Sequence, residues 1–181
     1  MEVNLNNARR SVAAGSPGHP PRLDQRATIM RAVEQSLDAL EPMIAHVIDD
    51  ASVSAEHAMH IVVMDPLADH RSVPFDDAIL VERSFGDPTG WRADYAWYAR
   101  AKTRVSWRER QTLRTLLVQR PDRLQPDDIR VEGAVRDGRW IVGASGAQPW
   151  YDHALASIAA RLFDAAIEHA CHAAASKDRA A

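Results

Sequence analysis

With 181 residues, 46% of them hydrophobic, the chain suits one globular domain, and 22 basic against 25 acidic residues leave a net charge of -3 that gives no pull toward nucleic acid or an anionic membrane. Its one cysteine, Cys171, excludes an internal disulfide and any Cys-x-x-Cys zinc or redox site, which fits a cytoplasmic protein. No stretch approaches the roughly 18 consecutive apolar residues of a membrane span. Residues 1–24, including "SVAAGSPGHPPRL", lack the apolar core of a signal peptide and read as a flexible tail before a single domain at 25–176.

The first helix shows in Ile29 or Met30, Val33, Leu37, Leu40, Ile44 and Val47 or Ile48, which recur at three- and four-residue steps. Pro42 is expected to bend or divide it near Glu41, because proline removes an interior hydrogen bond. "MHIVVMD" (59–65) and "AILVERSF" (78–85) are rich in strand formers and read as a hairpin with a long loop, 66–77. From Asp87 to about Val118 a helix is expected, weakening beyond Val105, with Tyr95, Tyr98 and Lys102 on one face and Trp97 on a neighbouring one. "DIRVEGAVRDGRWIVGASG" (128–146) gives two alternating runs around Asp137-Gly138, a tight-turn dipeptide. Pro149 then opens a helix whose stripe is Leu155, Ile158, Ala159, Leu162 and Ala166. The order helix, two strands, helix, two strands, helix argues for an antiparallel sheet covered by helices.

The junction "VGASGAQPWYD" (142–152) lies between the last strand and the last helix. Gly143, Ser145 and Gly146 end the strand in a tight turn, and the first N–H groups of the helix point into the same region. Such a terminus attracts a carboxylate or phosphate, or Asp152 in the first turn satisfies those donors itself. Eight histidines, among them His46, His57, His60, His70 and His153, offer imidazoles that can ligate haem iron, although no Cys-x-x-Cys-His attachment sequence is present. The rings Trp91, Tyr95, Trp97, Tyr98, Trp107, Trp140, Trp150 and Tyr151 suit core or subunit contacts, or the wall of a flat ligand. Ser145 lacks the Gly-x-Ser-x-Gly setting of a hydrolase nucleophile, and no Walker A or dinucleotide fingerprint occurs. The pairs Asp76-Asp77 and Asp127-Asp128 read as polar loop or cap residues.

"IVGASGAQPWYDHALASIAARL" resembles the C-terminal signature of the GlcG and HbpS-like family, described as a haem-degrading domain and related to the C-terminal domain of PduO-type proteins. Gly143, Ser145, Gly146 and Asp152 match that signature in order and spacing. "IVVMD" with Asp65, "ILVERSFGD" with Arg83, and "ADYAWYARAKTRV" with the pair Ala101-Lys102 resemble earlier segments of the family. Arg139 and Trp140 stand where the family has further glycines, and Pro66 replaces a common glycine after the first-strand Asp.

The resemblance implies an α/β (α+β) domain with a profilin-like antiparallel sheet of four or five strands in the order α-β-β-α-β-β-α. It also implies a homo-oligomer that binds a small molecule, with haem or another tetrapyrrole as the cofactor. Its candidate ligand-binding residues are Lys102, Gly143, Ser145, Gly146 and Asp152, and His153, next to the matched Asp152, is the candidate haem ligand. Lys102 is expected to hold a propionate or other anionic group as a point charge. Two further functions stay open: an oligomeric scaffold without haem, and an enzyme acting on a small anionic metabolite.

Overall fold

A computed structural model describes residues 22–178, so the segment 1–21 of the expected tail lies outside the described residues. Residues 22–24 open the first helix, α1 (Arg22–Asp49). Val33, Leu37, Leu40, Ile44 and Ile48 form its buried stripe. Pro42 sits inside α1, which runs on as one helix, so of the two expected outcomes, a bend or a division, the division does not occur. Both Pro42 and Asp38, whose carbonyl loses its intrahelical partner, are exposed, so water can satisfy the freed oxygen.

Strand β1 (Met59–Met64) is buried along its whole length and pairs antiparallel with β2 (Ile79–Phe85), as the hairpin reading expects. The segment from Asp87 to Val118 is not one helix. Asp94 accepts a 2.8 Å hydrogen bond from the Trp97 N–H and caps α2 (Tyr95–Glu109), which ends at Arg110 in the left-handed conformation (φ 53). A second helix, α3 (Leu113–Gln119), then packs Leu113 and Leu116 against Val105 and Ala134. Strand β3 (Ala134–Asp137) begins later than the alternating run from 128, because a double hydrogen bond from Arg108 to the Asp128 carboxylate holds the preceding loop. It pairs with β4 (Trp140–Ser145) across Gly138 and Arg139, with the positive φ at the first turn position as in a II′ turn. The last helix, α4 (Pro149–Asp178), starts at the expected proline.

The chain is therefore a mixed α+β fold with an open four-stranded antiparallel sheet in the order β2-β1-β4-β3 and, among the described residues, four α-helices. The extra helix is α3, so the order is α-β-β-α-α-β-β-α. Met59, Ile61 and Val63 of β1 face the main core with α1 and α4, while Val62 and Met64 face Ala99 and Trp107 of α2. Trp140 fills the main core edge to face with Phe163 and donates its Nε1–H to Asp164 at 2.8 Å. No helix of the described residues is long and apolar enough to cross a membrane.

Gly143 sets how closely α2 approaches the sheet. A Cβ there would lie 1.8 Å from the Thr103 Oγ1 and 3.0 Å from the Ala99 carbonyl oxygen. A Gly143→Ala chain is expected to lose about 1–3 kcal/mol of stability by overpacking, read from the midpoint of urea unfolding.

Candidate functional site

Four of the residues singled out in the sequence come together where β4 ends and α4 begins. Lys102 is only 2% exposed, and its ammonium donates to the Asp152 Oδ2 at 2.7 Å, the Ser145 Oγ at 3.1 Å and the Ala144 carbonyl at 3.2 Å. An ammonium has three N–H groups, so its donors are matched by three acceptors. The other Asp152 oxygen accepts the Ala147 N–H at 2.9 Å, so the carboxylate both neutralises Lys102 and satisfies a donor of the turn before α4. Burial pushes Asp152 up to about 6, against the opposing pull of Lys102 and the Ala147 N–H. At neutral pH the Asp152 carboxyl is ionised.

Gly146 completes the turn at φ +141, and a Cβ on it would lie 2.2 Å from the Ala58 carbonyl oxygen. Its own carbonyl accepts the Ser54 hydroxyl at 2.7 Å, while Ser54 Oγ accepts the Ala58 N–H at 2.9 Å. Gly143 acts one layer deeper, through the close approach of α2. The anion-binding groups expected at this junction are thus occupied from within: Asp152 stands where an external carboxylate or phosphate was expected. Asp152 caps the turn, as one of its two readings expects, and Lys102 directs its charge to that internal carboxylate in place of the external anion expected for it.

His153 is adjacent in sequence but takes no part in this hydrogen-bonded cluster. Its Nδ1 is buried with no hydrogen-bond partner, and burial lowers its pKa, opposed by the Glu132 carboxylate and assisted by Arg114. Glu132 in turn meets Arg114 at 3.1 Å. On the other flank, burial and the nearby Glu56 carboxylate push the Tyr95 phenol up, and Trp91 packs edge to face on Tyr95 at 5.4 Å.

The other residues named from the sequence are dispersed. Asp65 is buried and accepts from Arg26 at 2.8 Å, and Arg83 pairs with Asp38. His57 holds the Ile48 carbonyl from a left-handed backbone, and His70 packs edge to face on Trp107. Tyr98 is 40% exposed and does not share the burial of Lys102. Among the described residues no group of three or more histidine, cysteine, aspartate or glutamate side chains is placed to hold a metal ion.

A second polar group was not assembled by sequence reasoning. His60, 7% exposed, lines a cavity of about 320 Å3 with Glu82, Asp94, Ala96, Trp97 and Arg100. Arg100 grips both Glu82 oxygens, at 2.7 and 2.5 Å. The only sequence signal was the alternation of β2, which places Glu82 and Ser84 on one face; their meeting with His60 depends on strand register.

Set against known proteins, the chain matches no family model and no curated protein.

Removing either member of the Lys102–Asp152 pair strands a buried charge. Lys102→Met and Asp152→Asn are each expected to cost about 3–5 kcal/mol in urea unfolding. The double variant should lose clearly less than the sum, because neither charge is left behind. A separate expectation concerns His153. Its folded pKa lies below the unfolded value, so the unfolded chain binds the proton more readily and stability is lost as pH falls below about 6.5. Unfolding curves for wild type and His153→Gln should therefore shift in favour of the variant between pH 7 and pH 5.

Proposed function

We propose that this chain is a homo-oligomeric small-molecule-binding protein of the GlcG and HbpS-like type, with a profilin-like fold, and that a tetrapyrrole such as haem is its ligand. The observation that carries this reading is the convergence of Lys102, Ser145 and Asp152 in one hydrogen-bonded cluster, with Gly143 and Gly146 shaping the strand end around it. Those are the residues on which the resemblance rests, brought from α2, β4 and α4. In this reading the cluster is the floor of the site and fixes its walls. Lys102 does not suit the propionate role, since its N–H groups already serve Asp152, Ser145 and Ala144. In this reading His153 is the iron ligand; its Nδ1 has no hydrogen-bond partner but is buried, so the ring must rotate outward to meet iron. A bound haem would supply its own redox and ligand chemistry; the chain's part is to present His153 and exclude water.

A scaffold without haem draws support from a different observation. Trp97, Tyr98, Trp150 and Ile158 remain 57, 40, 56 and 43% exposed, and large aromatic rings at a surface suit subunit contacts. Both readings share the oligomer and differ in the ligand.

Haemin titration of the purified protein, following the Soret band and particle size together, separates them. A saturable band at one site per chain that His153→Ala displaces is the expected result. A stable oligomer with no saturable band would leave the scaffold reading in its place.

A further inference from the structure

The antiparallel register of β1 and β2 places His60 directly opposite Ser84 and Val62 opposite Glu82. Side chains two apart on a strand share a face, so Glu82, Ser84 and His60 all lie on the side of the sheet that α2 covers. The Ser84 Oγ is 2.9 Å from His60 Nδ1, and His60 Nε2 is 3.6 Å from the nearer Glu82 oxygen. Nε2 is buried and has no hydrogen-bond partner. Of the two neutral tautomers, the one with its proton on Nε2 directs that proton toward the carboxylate, whereas the other would turn a lone pair on it. The favoured tautomer therefore leaves Nδ1 free to accept the Ser84 hydroxyl proton.

We infer that Ser84, His60 and Glu82 form a nucleophilic serine centre, distinct from the Lys102 cluster, that accepts the acyl group of small carboxylic esters. Ser84 is exposed, and β2 is an edge strand paired only with β1 among the described residues, so no neighbouring strand shields the hydroxyl. His60 is at once hydrogen-bonded to Ser84 and part of the wall of the 320 Å3 cavity, whose Trp97 offers an apolar surface. The first turn of α2 reaches the same cavity through Ala96 and Trp97, where the Asp94 carboxylate caps the helix, takes the Trp97 N–H and adds a second negative charge near His60. Arg100 holds Glu82 aligned with both of its oxygens occupied.

The chemistry closes on these groups. The Oγ forms a bond to the acyl carbon as its proton passes to Nδ1; the alkoxide leaving group departs with that proton, and a water deprotonated by Nδ1 then releases the acid and restores Ser84. Glu82 steadies the transient imidazolium across the 3.6 Å gap, which can tighten once the ring is charged. Burial holds His60 below its ordinary pKa against the pull of Glu82, so the ring is neutral and able to act as a base at pH 7. Although burial raises it, the Glu82 carboxyl is held below the usual range by Arg100 and His60, so it is ionised.

The test is covalent labelling of the full chain with an alkyl fluorophosphonate, in which the serine oxygen displaces fluoride at phosphorus, followed by intact mass and peptide mapping. One adduct on Ser84 is expected, absent from Ser84→Ala and from urea-unfolded protein, and slowed about a hundredfold or more in His60→Gln. Because His60→Gln can also perturb the strand pair, the labelling rate of the unmutated chain is followed with pH and should rise through one ionisation centred below 6.5. p-Nitrophenyl acetate should release nitrophenol in a burst that Ser84→Ala abolishes. No adduct on Ser84, or labelling that climbs only with hydroxide above pH 8, would overturn the assignment and leave the His60–Ser84 bond as a strand-pairing contact. Haem binding is indifferent to these outcomes.

Discussion

A lysine ammonium is tolerated away from water only where each N–H meets an acceptor and an opposite charge lies in contact, and in this fold Lys102 satisfies that demand with groups drawn from three elements. The arrangement has a mechanical meaning. Helix α2 lies on one face of the sheet and α4 on the other, so the Lys102–Asp152 bond passes the end of β4 and ties the two helical layers together. The small residues around it follow from the same demand, since α2 must come close enough to Gly143 for the lysine to reach Asp152. Asp152, committed to Lys102 and the Ala147 N–H, in turn fixes where α4 begins.

The polar character continues across the sheet. Ser145 faces His60 on the neighbouring strand, and His60 faces Ser84 on the next, so one row of polar side chains runs over β4, β1 and β2 beneath the start of α2. Beside that row the face carries an apolar patch, Val62, Met64 and Ile141 against Ala99 and Trp107, with Glu82 at its β2 edge. The helix thus covers both a dry region and a polar one. Two ion pairs from a single turn of α2 anchor it in different directions, Arg100 to Glu82 on β2 and Lys102 to Asp152 on α4.

Local patterns in the sequence carry much of this architecture. The three-to-four spacing from Val33 to Ile48, the strand formers at 59–64 and 79–85, and Pro149 at a helix start all report interactions between residues near in sequence. What was not legible depends on distance or on exposure. Arg110 breaks the helix without glycine or proline, stabilised by its N–H bond to the Ser106 carbonyl and by the packing of Leu113 and Leu116 beyond it. Pro42 lies on the exposed side of α1 with Asp38, where water can satisfy the carbonyl it frees. At the site, the turn and Asp152 were readable from spacing, but the internal pairing of Lys102 was not, since nothing local says that a lysine on a helix will be buried. His60, Ser84 and Glu82 escaped for a related reason: only register brings them together, and register is a property of two strands.

The strand order has a kinetic consequence. β1 pairs with β2 and β3 with β4 within short stretches of chain, but the sheet becomes one body only through the seam of β1 with β4, where residue 60 meets residue 145. Closing so long a loop loses chain entropy before any contact compensates, so the two hairpins can form early while their union sets the folding rate. The Lys102 cluster and the polar row sit on that seam. Both therefore belong to the last part of the molecule to assemble, and any opening that separates the hairpins dismantles both at once.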